Sequence, residues 1–325
     1  MKVFITGATG FVGRSFARAL SYHGADIHGL ARPAADRSAL DGLRITWHIG
    51  DVTAPETLRE AIRGADWVIH AAGPLGKFGV AETVYQRAHV GGTRNVLAAA
   101  AAGSPGARIL HVSSTGVAGP APSDTDEDAP YTPTNMYERA KVDSEKAVLD
   151  VARRQDIVIA RPALLYGPGD HHVLKLFQAI QRGRFFYIGS GNNYCHPTYI
   201  DDAIAGMLLC LQKGVTGGVY NITGPRAVTL RELGETIAAA VGVKAPWLHV
   251  PRWCASCGVS VLEQLCYLTR STPPLSRSGV AFFSEHRRYL WGKARSDLGY
   301  APRYNLGDGV CSTVQWYRKH GLLSS

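Results

Sequence analysis

Met1-Lys2-Val3-Phe4-Ile5-Thr6-Gly7-Ala8-Thr9-Gly10-Phe11-Val12-Gly13 opens the chain, and the rest of the architecture can be worked out from it. A short apolar run is followed by three glycines spaced three apart. The next segment has apolar residues at helical spacing, with Phe16, Ala17 and Leu20 on one face. This pattern predicts a strand, a glycine turn and a helix.

The three glycines have distinct physical uses at such a junction. Gly7 lets the chain turn sharply, Gly10 lets the backbone approach a pyrophosphate, and Gly13 lets the helix pack closely. The N–H groups at the helix N-terminus favour an anion. We therefore predict that Gly7, Thr9, Gly10, Phe11, Val12 and Gly13 bind the phosphates of a dinucleotide. The GxxGxxG spacing differs from GxGxxG, so a glycine turn without a cofactor is the alternative.

Length and charge limit the possible classes. A chain of 325 residues fits one body with two lobes. The net charge is +9, and from Val250 onward ten Lys/Arg face four Asp/Glu. This excess could attract an anionic substrate or an acidic membrane surface. Because the basic residues are scattered and no nucleic-acid module is visible, a solvated basic face is favoured and nucleic-acid binding is not expected.

The cysteines and the N-terminus suggest neither a metal site nor export. Six cysteines are present, and Cys254 and Cys257 form a C-x-x-C without a second pair. A buried helix face is favoured over a metal or redox pair, and no metal is expected. The chain begins with a strand pattern and has no leader-like segment, so we expect a cytoplasmic protein.

The second strand pattern, Ala25 to Leu30, is followed by Ala31-Arg32-Pro33. In dinucleotide folds an acidic residue at this point binds the ribose 2′-OH, whereas an arginine accommodates a 2′-phosphate. Arg32 has a planar fork suited to phosphate, and no acid stands beside it. NADP is therefore favoured, with NAD possible. Alternatively, Arg32 is an ordinary surface residue.

Further strand patterns end in small or polar residues. They end at Asp51-Val52, at Ala71-Ala72-Gly73 and at Ser113-Ser114. Strands that alternate with helices predict an α/β fold with a doubly wound parallel sheet, whose ligands bind at the carboxyl ends of the strands. We expect these three stretches to meet at one site.

A tyrosine and a lysine share one helix face in the next segment. Tyr137 and Lys141 are four residues apart, so both can point into one site. A neighbouring ammonium should lower the pKa of the phenol, which suits a general acid or base for an alcohol/ketone couple.

The chain resembles a known family. The elements above, with Arg161-Pro162-Ala163-Leu164-Leu165-Tyr166-Gly167-Pro168-Gly169-Asp170 and His196-Pro197-Thr198-Tyr199-Ile200-Asp201-Asp202, are similar to the extended short-chain dehydrogenases/reductases. That group includes the NAD-dependent epimerases/dehydratases and the 3β-hydroxysteroid dehydrogenases. The resemblance implies a Rossmann-type domain over 1–165, completed by about 198–222, and a smaller substrate lobe over 166–325.

The resemblance also implies roles for individual residues. The catalytic serine or threonine lies five residues before the glycine of Val117-Ala118-Gly119, which selects Ser114 over Ser113 and Thr115. Tyr137 would transfer the proton, Ser114 would bind the substrate oxygen, and Lys141 would hold the nicotinamide ribose. The implied cofactor set comprises Asp51, Val52, Ala71, Ala72, Gly73 and Pro162 beside Arg32, the glycine turn, Tyr137 and Lys141.

Three departures bear on function. His89 stands where the family usually has asparagine, so either His89 keeps a polar link there or the usual proton relay is altered, and His89 is not expected to be catalytic. Relatives that act on nucleotide sugars commonly carry an asparagine and an arginine for the diphosphate, where this chain has Leu164 and Cys195. A nucleotide sugar is therefore disfavoured.

Three functions follow from these features. The leading hypothesis is an NADP-dependent oxidoreductase that interconverts a secondary alcohol and a ketone on a hydrophobic or moderately polar small molecule. The alternatives are a nucleotide-sugar epimerase or dehydratase, and a cofactor-binding protein without turnover. The resemblance allows a homodimer through helices near 82–102 and 135–154.

The apolar segment 246–275 has Arg252 and Arg270 at its margins. It could be a lid for a greasy substrate, a peripheral membrane contact, or a helix packed on the core.

Overall fold

The structure, a computed structural model, describes residues 1–269, 271, 273 and 275–324. The strands are β1 Lys2–Thr6, β2 Asp26–Ala31, β3 Ile45–Ile49, β4 Trp67–His70, β5 Arg108–Val112, β6 Ala121–Thr125, β7 Ile157–Pro162, β8 Leu164–Tyr166, β9 Tyr187–Ile188, β10 Tyr194–Cys195, β11 Pro197–Tyr199, β12 Val219–Ile222, β13 Val228–Thr229, β14 His249–Val250 and β15 Arg287–Tyr289.

The helices alternate with these strands. They are α1 Phe11–Tyr22, α2 Arg59–Ile62, α3 Glu82–Tyr85, α4 Gly92–Gly103, α5 Met136–Leu149, α6 Leu174–Gln181, α7 Ile200–Lys213, α8 Leu230–Val241, α9 Arg252–Leu268, α10 Arg277–Ser284 and α11 Leu306–Lys319. Short 3₁₀ turns cover Ser38–Leu40, Pro55–Thr57 and Thr115–Ala118, and π-helical turns cover Gln86–Gly91 and Ala294–Leu298.

Seven strands form one parallel sheet in the order β12-β7-β5-β4-β1-β2-β3. The predicted doubly wound parallel sheet is confirmed. The strand order reverses between β1 and β4, and ligands of open α/β sheets bind outside the carboxyl ends of the strands at such a reversal. The fold therefore places a crevice beside the ends of these two strands.

Helices cover both faces of the sheet. On one face α1 and α7 bury Phe16, Leu20 and Met207 against the strands. On the other face α2, α4 and α5 contribute Ile62, Val96 and Val148 to a second apolar layer. Because both faces are covered, central strands such as β7 are buried at every position, as expected of parallel sheets.

The second half of the chain builds a smaller lobe with its own core. Phe177 of α6, Ile237 of α8 and Tyr317 of α11 pack in one cluster. A separate small cluster joins α9 and α10 through Val259 and Val280. The boundaries proposed above for the two domains stay a prediction.

Gly91 and Gly92 do not interrupt the helix that the sequence places near 82–102. Glu82 to Gly103 is helical throughout, with the π-helical turn just before Gly92. A Cβ at Gly92 would lie 2.7 Å from the Val52 side chain. The glycine thus serves close packing of α4 on the segment after β3, which sequence alone does not reveal.

Candidate active site

The glycine turn after β1 is held by backbone packing. Gly7 has a φ of +69°, and a Cβ there would lie 2.8 Å from the carbonyl oxygen of Ala71. A Cβ at Gly13 would lie 2.1 Å from the Gly7 carbonyl oxygen. Only glycine therefore fits either position, and the turn lies directly against the end of β4.

The same turn provides a place for a phosphate. Gly10 is the N-cap residue of α1 and has no side chain to cap the helix. The first-turn N–H groups of a helix lack partners within the helix, so those of Phe11, Val12 and Gly13 are available to an anion. Thr9 lies in the turn just before them. A close glycine turn with an uncapped helix start fits a dinucleotide pyrophosphate.

Two neighbouring strand ends supply the other predicted contacts. Arg32 follows β2, is exposed and forms no ion pair with any described residue. Asp51 follows β3, and its carboxylate accepts hydrogen bonds from the Thr53 backbone N–H and hydroxyl, both at 2.9 Å. Val52 is buried, and its carbonyl accepts from Asn95 at 2.8 Å. Arg32 is therefore free for a ligand, whereas Asp51 and Val52 are fixed in place.

The end of β4 borders the crevice. Ala71 contacts the glycine turn, and the Ala72 N–H donates to the Thr6 hydroxyl at 3.3 Å. Gly73 has a φ of +149°. Pro162 lies buried at the end of β7, two strands away from β4 in the sheet.

A capped helix start fixes Tyr137. Asn135 caps α5 by accepting from the Glu138 N–H at 3.0 Å, and Glu138 accepts from the Thr134 N–H at 2.7 Å. Arg287 from the second lobe donates to the other Glu138 oxygen at 3.1 Å, and both side chains are buried. Tyr137 thus lies in the first turn of a helix that both lobes hold.

Ser114, Tyr137 and Lys141 meet at the end of β5. The Ser114 hydroxyl lies close enough to the Tyr137 phenol to favour its ionised form, and it accepts from the Gly116 N–H at 3.1 Å. The Lys141 ammonium donates to the Val112 carbonyl at 2.8 Å. The structure therefore brings the three predicted catalytic side chains together. Ser114 lies beside the Tyr137 phenol, and the Lys141 ammonium binds a backbone carbonyl of β5.

The prediction that the Lys141 ammonium lowers the pKa of the Tyr137 phenol is wrong for the protein without its cofactor. Burial raises the pKa of Tyr137 to about 12, and the negative charge of Glu138 adds to the rise, whereas the Ser114 hydrogen bond opposes it. Burial lowers the pKa of Lys141 to about 8. Because the ammonium loses its proton near pH 8, Lys141 is neutral at the pH where the phenol titrates, and its charge does not contribute to the pKa of the phenol.

Three buried histidines surround Lys141, and sequence reasoning considered only one of them. Burial, together with the positive charge of Lys141, lowers the pKa of His70 and of His89 to about 3 and that of His111 well below its usual range. They come from β4, the helix after it and β5, so only their positions near strand ends could have signalled the cluster. Neutral rings here add no charge beside the ammonium.

The His111 ring has one hydrogen-bonded and one free nitrogen. The Ser144 hydroxyl donates to the Lys141 carbonyl, so His111 Nε2–H donates to Ser144 at 3.2 Å. His111 Nδ1 is buried and has no hydrogen-bond partner among the described residues.

His89 packs against the catalytic tyrosine. Its Nε2–H donates to the Pro74 carbonyl at 2.9 Å, and its ring lies edge-on to Tyr137 with centroids 5.4 Å apart. A Cβ at Gly73 would lie 2.2 Å from the His89 ring. Tyr85, one turn earlier, is parallel to the His89 ring with centroids 6.3 Å apart, and it also lies edge-on to Tyr137 at 6.5 Å. His89 therefore fills the space between the end of β4 and Tyr137.

The described residues contain no group of three or more His, Cys, Asp or Glu side chains that could hold a metal ion. Cys254 and Cys257 lie on α9 as expected, but Cys254 is only partly buried and Cys257 is exposed. The predicted buried face is therefore wrong for Cys257, because α9 packs through its opposite side.

Comparisons with known proteins agree with this site. The model of the NAD dependent epimerase/dehydratase family matches residues 3–223. A ceramide reductase of Caulobacter vibrioides is 30% identical, over 99% of this chain and 96% of that protein. Sterol demethylase protein B of Methylococcus capsulatus is 27% identical, over 99% of this chain and 100% of that protein.

Solved structures share the fold over the whole chain. The dTDP-glucose 4,6-dehydratase DesIV of Streptomyces venezuelae, solved with NAD and TYD bound, superposes with a TM-score of 0.82, with 25% identity over 100% of this chain and 99% of that chain. The glycine turn, the residues at the strand ends and the family match all indicate the same family. The chain belongs to the NAD dependent epimerase/dehydratase family of extended short-chain dehydrogenases/reductases, and it is an enzyme that uses a nicotinamide dinucleotide.

Proposed function

We propose that this enzyme is an NADP-dependent oxidoreductase that interconverts a ketone and a secondary alcohol on a hydrophobic small molecule. The observation that carries the proposal is the contact of Ser114 with Tyr137, one helical turn from Lys141, at the strand ends beside the glycine turn. The dinucleotide, when bound, supplies or accepts the hydride. The proposal keeps the cytoplasmic location expected from the sequence.

The protonation state of Tyr137 favours reduction. With a pKa of about 12 the phenol is protonated at neutral pH. It can donate its proton to a carbonyl oxygen as the hydride adds to the carbonyl carbon, which yields the alcohol. The Ser114 hydroxyl is placed to hydrogen-bond the same oxygen. The Lys141 ammonium, one turn along α5, holds the ribose in this proposal.

Two residues of the second lobe favour an apolar substrate over a nucleotide sugar. Cys195 is buried in β10, and Leu164 lies in β8, at the places where sugar-nucleotide relatives carry diphosphate donors. Neither side chain can donate strongly to a diphosphate. Several relatives have names that concern lipids or alkyl chains, among them the ceramide reductase and a 2-alkyl-3-oxoalkanoate reductase of Stenotrophomonas maltophilia, 29% identical over 95% of this chain and 97% of that protein.

The reaction is tested with a panel of long-chain and alicyclic ketones under saturating NADPH. We expect loss of NADPH absorbance in step with formation of the alcohol. Conversion of a UDP- or dTDP-sugar without net cofactor change, and no reaction with any ketone, would instead support the epimerase or dehydratase alternative.

The preference for NADP is proposed from Arg32. Pairing of a guanidinium with a 2′-phosphate contributes roughly 1.5 to 3 kcal/mol, so Arg32→Ala should raise the KM for NADPH about 10- to 100-fold and leave the KM for NADH unchanged. Arg63→Ala is the matched control, because Arg63 precedes β4 and so lies at the amino ends of the strands, away from the carboxyl ends where the cofactor is expected. Equal effects of Arg32→Ala on both cofactors would refute the assignment.

A homodimer through the helices Glu82–Gly103 and Met136–Leu149 is a further proposal from the family resemblance. Light scattering of the purified protein tests it.

A further inference from the structure

The helix α9 buries one face and exposes another. Ala255, Val259 and Cys266 lie on the buried side, in contact with a small cluster that includes Ile188 and Val280. A surface helix of a globular protein usually carries charged and polar residues on the side opposite its core face. The outward side of α9 does not follow this rule.

The outward side of α9 is uncharged over its whole length and mostly apolar. Trp253 is 72% exposed, Val261 59%, Leu265 53% and Leu268 78%. At 100° per residue these positions fall on one half of the helix, together with Cys257, Gly258 and Gln264. None of them carries a charge.

Two further side chains lie just before the helix. Trp247 is 81% exposed and Leu248 is 46% exposed. The α9 surface, defined as Trp247, Leu248, Trp253, Val261, Leu265 and Leu268, contains six of the 15 exposed large hydrophobic side chains of the described chain. Scattered apolar residues need no explanation, but a concentration of this kind marks an interaction surface.

The charges that border the α9 surface and face solvent are positive. Arg252 pairs with Glu285, and the arginine side chain is 59% exposed against 18% for the glutamate. Arg277 pairs with Glu263 in the same way, at 65% against 15%. In each pair the acid is shielded. Lys244 is exposed and forms no ion pair with a described residue.

The sequence count agrees with this border. Residues 244–286 hold four Lys/Arg and two Glu, with no Asp. Arg270, which was expected at the margin of the segment, lies outside the described residues.

We propose that the α9 surface docks on an anionic lipid bilayer, with α9 lying in the headgroup plane and Trp253, Leu265 and Leu268 inserted. Tryptophan is favoured at the boundary between headgroups and acyl chains, and apolar side chains with a basic border are typical of interfacial helices. Each Lys or Arg near an anionic surface adds about 1 kcal/mol. Within the described ranges no helix is both long enough and apolar enough to cross a bilayer, so the contact is peripheral.

A second copy of this chain fits the α9 surface less well. In a two-fold symmetric pair the same patch faces itself, so the exposed arginines of one copy would approach those of the other. An anionic bilayer neutralises the same border. The charge pattern therefore selects the lipid surface as the occupant.

Two elements, α10 and β15, connect the α9 surface to the active site. α9 packs on α10 through Val280, and α10 leads into β15, where Arg287 pairs with Glu138 next to Tyr137. A bilayer bound at the α9 surface would thus contact the same lobe that, in the proposed function, binds an apolar substrate. The docking itself does not depend on the proposed reaction.

Vesicle flotation of the purified full chain tests the proposal. We expect the protein to float with vesicles of phosphatidylcholine and phosphatidylglycerol, less with phosphatidylcholine alone, and less again at high salt. The fluorescence of the exposed tryptophans should shift to the blue on binding.

A double variant and a matched control separate docking from general effects. Trp253→Ser with Leu265→Ser should weaken flotation at least about tenfold. Because both side chains are exposed, the urea midpoint should not change. Tyr22→Ser is the control, since Tyr22 is 91% exposed on α1 in the sheet domain, and it should float like the wild type.

Two outcomes would overturn the proposal. One is flotation that the double variant does not reduce, or no flotation of the wild type at low salt. The other is a concentration-dependent dimer in light scattering that the double variant abolishes without any vesicle binding, since this would make the α9 surface a contact between copies.

Discussion

Replacing Lys141 with methionine should stabilise the fold while it removes activity. Lys141 is 6% exposed, and burial lowers its pKa from 10.5 to about 8. At 1.36 kcal/mol per pKa unit, this depression corresponds to about 3 kcal/mol of destabilisation at neutral pH. Methionine cannot donate to the Val112 carbonyl, which costs about 1 kcal/mol. The expected net gain in unfolding free energy is therefore about 2 kcal/mol.

The gain should depend on pH in a defined direction. An unfolded lysine keeps a pKa near 10.5, so between about pH 8 and pH 10.5 the unfolded wild type holds a proton that the folded state has lost. Wild-type stability from this group rises across that window. The advantage of Lys141→Met is full below about pH 8 and fades as the pH rises to about 10.5.

Urea unfolding of the variant and the wild type, at about pH 7 and about pH 10, measures both effects. Lys146→Met is the control, because Lys146 is exposed on the same helix, and we expect a change below about 0.5 kcal/mol. A variant less stable than the wild type at the lower pH, or a difference equal at both, would refute this account of Lys141.

Three further substitutions test other parts of the structure. Glu145→Gln should cost about 3 to 5 kcal/mol in urea unfolding, because the buried Arg161 guanidinium 2.7 Å away loses its charged partner, and a cost below about 1 kcal/mol would contradict this. Gly13→Ala should weaken dinucleotide binding at least about tenfold in a fluorescence titration, since its methyl group would overlap the Gly7 carbonyl, and unchanged binding would argue against the turn as the phosphate site. The pH profile of kcat/KM for His89→Asn should match that of the wild type above about pH 5, because the pKa of His89 is about 3, and loss of an ionisation near neutrality would show that His89 titrates in the working range.

The sheet could be predicted from the sequence because its strands are buried on both faces. Runs such as Trp67 to His70 are nearly all apolar, and the glycine turn marks the first crossover. β4 ends just before Ala71-Ala72-Gly73 and β5 ends just before Ser113-Ser114, as the patterns indicated. The uninterrupted helix through Gly91 and Gly92 could not be predicted, because the packing on Val52 depends on a segment distant in the chain.

The sequence predicted which residues form the candidate site, but not how their pKa values are shifted. Helical spacing places Tyr137 and Lys141 on one face, and it says nothing of the Val112 carbonyl that the ammonium contacts. It also says nothing of the burial that raises the pKa of the phenol, so it gave the wrong direction for that pKa. The histidines 70 and 111 gather around Lys141 only through the pairing of β4 with β5.

The apolar composition of α9 was visible in the sequence, but its exposure was not. Apolar residues lie on both sides of the helix, so periodicity could not tell which side faces the core. Full packing on the core does not describe the result, since Val259 is buried and Trp253 is exposed.

The central claim is that the Tyr137 phenol gives its proton to a carbonyl oxygen beside a bound dinucleotide. The most direct test compares kcat of the wild type and Tyr137→Phe on an accepted ketone at saturating NADPH, with dinucleotide affinity measured in parallel. The account predicts a fall in kcat of about 10² to 10⁴ with dinucleotide affinity changed less than about twofold. An unchanged kcat would contradict it.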